Sequence, residues 1–176
     1  MLIAQQRSAL SGFTYDLLSA DGTAIGDLCF PDWAEARNAR LKNPSPGRLS
    51  SSIDMTLSGA AYTIEFEYTR RGWENDTRYE LMKDGVCVAA ADVTVTGHLF
   101  RSPTVRITGP CVGELVRRYG HLKTRFDWVQ GGQVAGRVEE MDLFAVRRRL
   151  GTDLPPGVPL AVQGFLLFLV LVLAYG

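Results

Sequence analysis

The chain ends in a long apolar run, VPLAVQGFLLFLVLVLAYG, which begins at Val158 and carries no charged residue. As a helix, about eighteen such residues are roughly 27 Å long, slightly short for a bilayer core of about 30 Å. A helix that is apolar on every side must either span a membrane or be enclosed by the rest of its own protein. The run is therefore either a membrane anchor or the centre of a folded domain.

Two features of the sequence favour an enclosed helix. Membrane anchors usually carry positive charge close to one end, but the nearest basic residue upstream is Arg149, with Asp153 in between. A closed sheet of about twelve strands also has a lumen too wide for its own side chains to fill, and an apolar helix would fill it. We expect a helix from about Leu160 to Tyr175, with a tail anchor as the alternative. The residues expected to be almost inaccessible to water are Leu166, Leu167, Phe168, Leu169 and Leu173.

One pattern occurs three times, as YDLLSADGTAIGDL from Tyr15, YELMKDGVCVAAAD from Tyr79 and FDWVQGGQVAGRV from Phe126. Each copy has an aromatic residue, an acid and a large apolar residue, then a turn that ends in glycine. Alternation at period two predicts strands, and Asp-Gly or Gly-Gly predicts a tight hairpin turn. A small residue four positions past the turn predicts close approach of a backbone or a bulky side chain. These small residues are Gly26, Ala89 and Gly136.

Shorter alternating segments indicate further strands. IDMTL and YTIEFEYT flank Ser58-Gly59 and predict another hairpin, while TVRIT and MDLFAVRRRL are also typical of strands. The proline- and serine-rich stretch 43–52 predicts a loop. The sequence therefore predicts a single domain over residues 1–176. We expect it to be a mainly β protein, with a closed antiparallel barrel of about twelve strands (1–157) enclosing the helical segment (158–176).

Composition excludes several classes of protein. The chain has 176 residues, with 19 Lys+Arg against 19 Asp+Glu, whereas a dedicated nucleic-acid-binding protein usually has a basic excess. Its 3 cysteines lie in apolar settings without a C-x-x-C motif, which argues against zinc ribbons and thioredoxins and predicts inert core thiols. The first residues are too weakly apolar for a signal peptide. We therefore expect a cytoplasmic protein that does not bind nucleic acid.

A search for catalytic residues finds little. The chain has 2 histidines, His98 and His121, and it has neither G-x-S-x-G nor a phosphate-binding glycine loop. Glu139 and Glu140 are adjacent, and adjacent carboxylates on a strand point to opposite faces. We expect no catalytic residue, no metal and no cofactor. A small lipid-modifying enzyme with carboxylates that the sequence does not pair is a further alternative.

The arginines near the C-terminus form the candidate binding site. On the predicted strand MDLFAVRRRL, Arg147 and Arg149 would share one face, and two guanidinium groups suit a phosphate. Arg117 and Arg118 form a second basic pair that we expect to lie nearby. The sequence thus predicts a site for an anionic phospholipid headgroup or another anion. The alternative is a solvated strand end neutralised by the acids before it.

The three hairpins, the segment MDLFAVRRRL, the linker DLPPGVP and the helix LAVQGFLLFLVLVLAY together resemble the Tubby C-terminal-like superfamily. That superfamily includes the LURP-one-related proteins and the phospholipid scramblases. The resemblance implies a closed twelve-stranded barrel around a central apolar helix, and phosphoinositide binding through basic residues or calcium-dependent action on lipids. The chain has no acidic calcium loop of the D-x-[DN]-x-[DN]-G type near the helix. We therefore expect a non-enzymatic lipid-binding or scaffolding protein, peripherally associated with membranes, and the alternative is a tail-anchored protein with a cytosolic β domain.

Overall fold

The computed structural model describes residues 1–8, 13–31, 53–71, 74–96, 103–120, 122–142 and 147–175, which form twelve strands and one helix. They are β1 (Leu2–Gln6), β2 (Phe13–Ser19), β3 (Ala24–Phe30), β4 (Ile53–Leu57), β5 (Ala60–Arg71), β6 (Glu74–Lys83), β7 (Val86–Thr96), β8 (Thr104–Thr108), β9 (Gly113–Arg117), β10 (Arg125–Gln130), β11 (Gln133–Glu140), β12 (Arg149–Asp153) and α1 (Leu160–Tyr175). Consecutive strands pair antiparallel, and β12 pairs with β1. The sheet therefore closes into the predicted twelve-stranded barrel.

Helix α1 lies inside the barrel. Seven consecutive residues, 165–171, have no exposed surface, and about two turns of helix present side chains in every direction. The ring of Phe168 packs edge-on against Phe13 of β2, with centroids 6.0 Å apart, and against Tyr79 of β6, at 5.5 Å. Because β2 and β6 are four strands apart in the barrel, this one ring packs against two separate parts of the wall. The enclosed helix is confirmed.

The ends of α1 are less buried than its middle. Leu166, Leu167, Phe168 and Leu169 are fully buried, as predicted, but Leu173 is only half-buried. The prediction for Leu173 is wrong because the last turn of the helix reaches the mouth of the barrel. Within the described residues, no helix combines the length and the apolarity that crossing a bilayer requires.

The two least apolar positions in α1 have specific roles in the barrel. The Thr152 hydroxyl donates to Gln163 Oε1 at 2.9 Å and accepts from the Leu2 amide at 2.8 Å, so one buried group links the helix to the β1–β12 pair. A Cβ added at Gly164 would lie 2.8 Å from the Met55 sulfur, so glycine allows the helix to approach β4 closely. These contacts fix the depth and rotation of the helix.

The three predicted hairpins are β2–β3, β6–β7 and β10–β11, four strands apart. In each, the large apolar residue lies opposite the small one, and the register shifts immediately after it. The opposed pairs are Leu17 and Gly26, Leu81 and Ala89, and Trp128 and Gly136. A Cβ at Gly26 would lie 2.0 Å from the Thr56 carbonyl oxygen, and one at Gly136 would lie 2.5 Å from that of Asp153. The small residues therefore admit the neighbouring backbone, as predicted.

Two local predictions are wrong. The segment MDLFAVRRRL is not one strand, since β12 begins only at Arg149 and Met141 has already left β11. The Met141 amide donates to the Arg149 carbonyl at 2.8 Å, and this bond is the last between the two strands. Cys87 is exposed rather than a core thiol, because it stands next to the Asp84-Gly85 turn. The predicted loop 43–52 lies outside the described residues.

Replacing Phe168 with alanine tests the enclosed helix. Because this ring is fully buried against the wall, Phe168→Ala should leave a cavity and lower the free energy of unfolding by about 3–5 kcal/mol. Leu160→Ala, at the partly exposed start of the same helix, is the matched control and should cost less than about 1 kcal/mol. Urea denaturation measures both. Equal losses would contradict an enclosed helix.

The close approach at Gly26 gives a second prediction. Gly26→Ala places a methyl group against the backbone of β4 and should separate β3 from β4. The free energy of unfolding should fall by about 3 kcal/mol or more, which is at or above the usual cost of an extra methyl group in a packed core. Gly157→Ala is the control, because nothing lies within 4 Å of a Cβ at that position. Thermal unfolding followed by circular dichroism compares the two variants. If Gly26→Ala were as stable as Gly157→Ala, β3 and β4 would not be packed too closely to accept a Cβ at position 26.

Candidate functional site

The two ends of the barrel carry different charges. At the end where α1 begins, which we call the entry end, the connections are 20–23, 58–59, 84–85, 109–112, 131–132 and 154–159. These connections contain no lysine or arginine, and Asp21 and Asp84 are their only charged residues. The connections of the entry end are therefore weakly acidic.

The opposite end, which we call the basic end, carries most of the described cations. The described parts of its connections contain Arg7, Arg118, Lys123, Arg147 and Arg148. Three further arginines, Arg117, Arg125 and Arg149, stand at strand ends on this side. In the described parts of these connections Asp142 is the one carboxylate, while Glu140 stands at the strand end of β11 on the same side. Among the described connections, the cations are therefore concentrated at the basic end.

The side wall of the barrel, in contrast, balances its own charges. Glu67, Arg78, Asp92, Arg106 and Glu114 lie directly opposite one another on five adjacent strands, β5 to β9, with alternating sign. Arg78 is 2.9 Å from Asp92, and Arg106 is 3.4 Å from Glu114. Such cross-strand pairs of opposite charge stabilise a sheet modestly and leave little net field. The wall therefore offers less to an anionic ligand than the basic end does.

A buried carboxylate organises the β9–β10 side of the basic end. Asp127 is almost completely buried, and its two oxygens lie 2.6 Å from Arg118 Nε and 3.0 Å from Arg125 Nε. Burial raises the pKa of Asp127, but hydrogen bonds and charge from both guanidinium groups lower the pKa by more, so it lies below its ordinary value. Two cations share one anion here, so the cluster keeps one positive charge.

Two other cations contact neutral groups. The guanidinium carbon of Arg117 lies 5.3 Å from the centroid of the Tyr119 ring and 6.0 Å from that of Phe126. Lys123 Nζ donates to the Met141 carbonyl at 2.5 Å and so joins the β9–β10 connection to the β11–β12 connection. Because these partners carry no charge, both cations remain able to attract an anion.

All four arginines of the predicted site lie at the basic end, but they do not form one pocket. Arg147 is exposed and precedes β12, so it does not share a strand face with Arg149, whose Nη1 lies 3.5 Å from Asp142. Arg117 ends β9 and Arg118 follows it, three strands away from β12, which is roughly 14 Å along the wall at about 4.8 Å per strand. The predicted strand face is therefore wrong, the shared phosphate stays a prediction, and the basic residues are spread over a surface.

Three residues of this surface were missed in the sequence. Tyr119, Leu122 and Lys123 all lie in RRYGHLKTR, between β9 and β10, and the side chains of Tyr119 and Leu122 are exposed. The sequence feature that could have identified them is the mixture of cations and large apolar residues in one short connection. This feature points to a surface site only when the strand order shows which connections share a barrel end.

The described residues form no metal-binding cluster. No set of three or more His, Cys, Asp or Glu side chains is placed there to hold a metal ion, while His98 and His121 lie outside the described ranges. A cavity of about 280 Å³ lies along the outer wall beside β11 and β12, and its lining runs from Lys123 at the basic end to Met1 and Asp153 at the entry end. Comparisons of the chain with protein-family models, curated proteins and solved structures give no match.

The shared carboxylate predicts a dependence of stability on pH. Because the pKa of Asp127 is lowered on folding, its ionised form stabilises the fold above the unfolded-state pKa of about 3.9, and this contribution is lost as pH falls through the folded-state value. Asp127→Asn should cost about 1–3 kcal/mol at pH 7, less than a fully buried pair because solvent screens Arg118. The variant should also lose less stability than the parent on acidification.

Urea denaturation at pH 7 and near pH 3 measures both effects. The matched control is Asp84→Asn in an exposed turn of the entry end, where asparagine tolerates the positive φ of 50°. This control should keep the stability and pH dependence of the parent. If Asp127→Asn behaves in the same way, the two guanidinium groups do not depend on this carboxylate.

Proposed function

We propose that this chain is a non-enzymatic, Tubby-like barrel protein that associates peripherally with cytoplasmic membrane surfaces by binding anionic phospholipid headgroups at its basic end. The observation that carries the proposal is the segregation of cations: the described connections of one end hold five lysines and arginines, and those of the other end hold none. The cytoplasmic leaflet presents a negative surface of anionic lipids. A flat membrane would meet the whole basic end at once.

The expected attachment is weak and reversible. Arg117, Lys123 and Arg147 have no carboxylate among their described contacts, and the Asp127 cluster adds one net positive charge. Each such charge near an anionic surface contributes about 1 kcal/mol, and salt screens the interaction over a Debye length of about 8–10 Å. A few charges therefore support binding that depends on ionic strength, in keeping with a peripheral protein.

The position of α1 supports surface binding over the other arrangements. The helix occupies the lumen where a barrel of this size could otherwise hold an apolar ligand. A tail-anchored arrangement would withdraw the helix and leave Phe13, Tyr79 and the rest of the inner wall without their packing partner. The geometry thus favours a folded barrel that meets the membrane from outside.

Vesicle sedimentation tests this proposal. The parent should bind vesicles containing phosphatidylserine or phosphoinositide at low salt, and much less of it should bind at high salt. It should not bind neutral phosphatidylcholine vesicles. Replacing Arg117, Lys123 and Arg147 with glutamine should weaken low-salt binding about 100-fold, from three charges of about 1 kcal/mol each.

The matched control removes three cations elsewhere, with Lys83, Arg106 and Arg137 replaced by glutamine. It has the same net charge as the basic-end variant, so equal losses would mean that overall charge, not the basic end, governs binding. A parent that ignores anionic vesicles at low salt would overturn the proposed function.

A further inference from the structure

We infer that the connection between β9 and β10 is a membrane-inserting tip, in which Leu122 and Tyr119 enter the apolar layer of the bilayer while the cations around them contact the headgroups. This inference rests on the proposed function, and it adds an apolar component and a defined orientation to that binding. A bilayer containing anionic lipid is the one partner to which we commit.

The exposure of these side chains is the first observation. Leu122 is 91% exposed and Tyr119 is 60% exposed, although single exposed apolar residues are ordinary in proteins. What distinguishes this pair is that both residues lie in one short connection. The Arg118 amide donates to the Arg125 carbonyl at 2.9 Å, and the chain then turns at Gly120, where φ is +86°. Both side chains therefore lie beyond the last bond of the β9–β10 ladder.

The order of side chains along the connection is the second observation. Arg117 and Arg125 stand at the strand ends, and the apolar residues lie farther along the connection. The Arg117 guanidinium packs on the Tyr119 ring, so a cation is held directly beside an apolar anchor. A bilayer has the same sequence of layers, because its charged headgroups surround an apolar interior. Amphipathic aromatic rings favour the boundary between those layers.

Charge complementarity selects the bilayer as the partner. Other large apolar side chains are exposed, but Met1, Val86, Val112 and Val134 all lie near the entry end, whose connections contain no cation. Within the described residues, only the β9–β10 connection combines exposed apolar side chains with several cations. An apolar protein groove would account for Leu122 alone, but an anionic bilayer accounts for Leu122 together with Arg117 and Lys123. The inserted tip would set the barrel end-on to the membrane, with the entry end facing away.

The experiment separates apolar from electrostatic binding in a system of purified protein and vesicles. Leu122→Ala should weaken partitioning to phosphatidylserine vesicles about 10-fold, as expected for removing one leucine side chain from an apolar phase. That factor should be similar at low and high salt, whereas the basic-end variant with Arg117, Lys123 and Arg147 replaced should lose binding mainly at low salt. Leu122→Trp should bind at least as tightly as the parent, since indole favours the interface.

Val112→Ala is the matched control, because Val112 is 67% exposed at the entry end. It should bind like the parent, and thermal melts should show that all these surface variants remain folded. If the parent binds anionic vesicles and Leu122→Ala binds equally well, the tip does not insert. The inference then fails while the proposed function stands. A loss with Val112→Ala instead would place the entry end on the membrane and overturn the inference. A parent that does not bind at all would overturn both.

Discussion

The fold depends on one mutual requirement between an apolar helix and a wide barrel. Helix α1 has no polar face to offer to water, and a sheet of twelve strands cannot fill its own lumen. The barrel therefore shields the helix from water, and the helix fills the lumen, with residues 165–171 fully buried against the inner wall. The buried Thr152 hydroxyl fixes the position of the helix within the barrel, because it is hydrogen-bonded to Gln163 on the helix and to Leu2 on the first strand. Helix position and barrel closure are thus set at the same place.

The features predictable from the sequence were those with a local physical cause. Alternation and turn glycines identified the hairpins, because strand periodicity and positive φ angles are properties of neighbouring residues. Leu173 and Cys87 were misjudged because their exposure depends on distance from a barrel mouth or a turn, which composition does not encode. The segment MDLFAVRRRL has the alternation of a strand, but pairing ends at the bond between Met141 and Arg149. Tertiary pairing, not local pattern, decides where that strand begins.

The candidate site was predictable only in part. The four arginines selected from the sequence all lie at one end of the barrel, but the supposed strand face of Arg147 and Arg149 does not exist. Residue types alone could not show that the cations lie on alternate connections of an up-and-down barrel, nor that Asp127 holds two of them. Once strand order is known, the contrast is plain, since the turns 58–59, 84–85 and 131–132, which contain no cation, lie at the other end. The distribution of charge in this molecule is a property of barrel ends rather than of any single motif.

The seam between β1 and β12 has a consequence for how the protein is made. Leu2 and Thr152 are 150 residues apart in the chain, and they are hydrogen-bonded neighbours in the barrel. During synthesis the barrel cannot close until β12 has left the ribosome, and its lumen cannot be filled until α1 has followed. Until then, the inner faces of the first eleven strands lack their packing partner. Contacts of such long sequence separation also form slowly. The nascent chain therefore passes through a stage in which the apolar inner face of an open sheet is exposed to solvent, until β12 pairs with β1 and the helix docks.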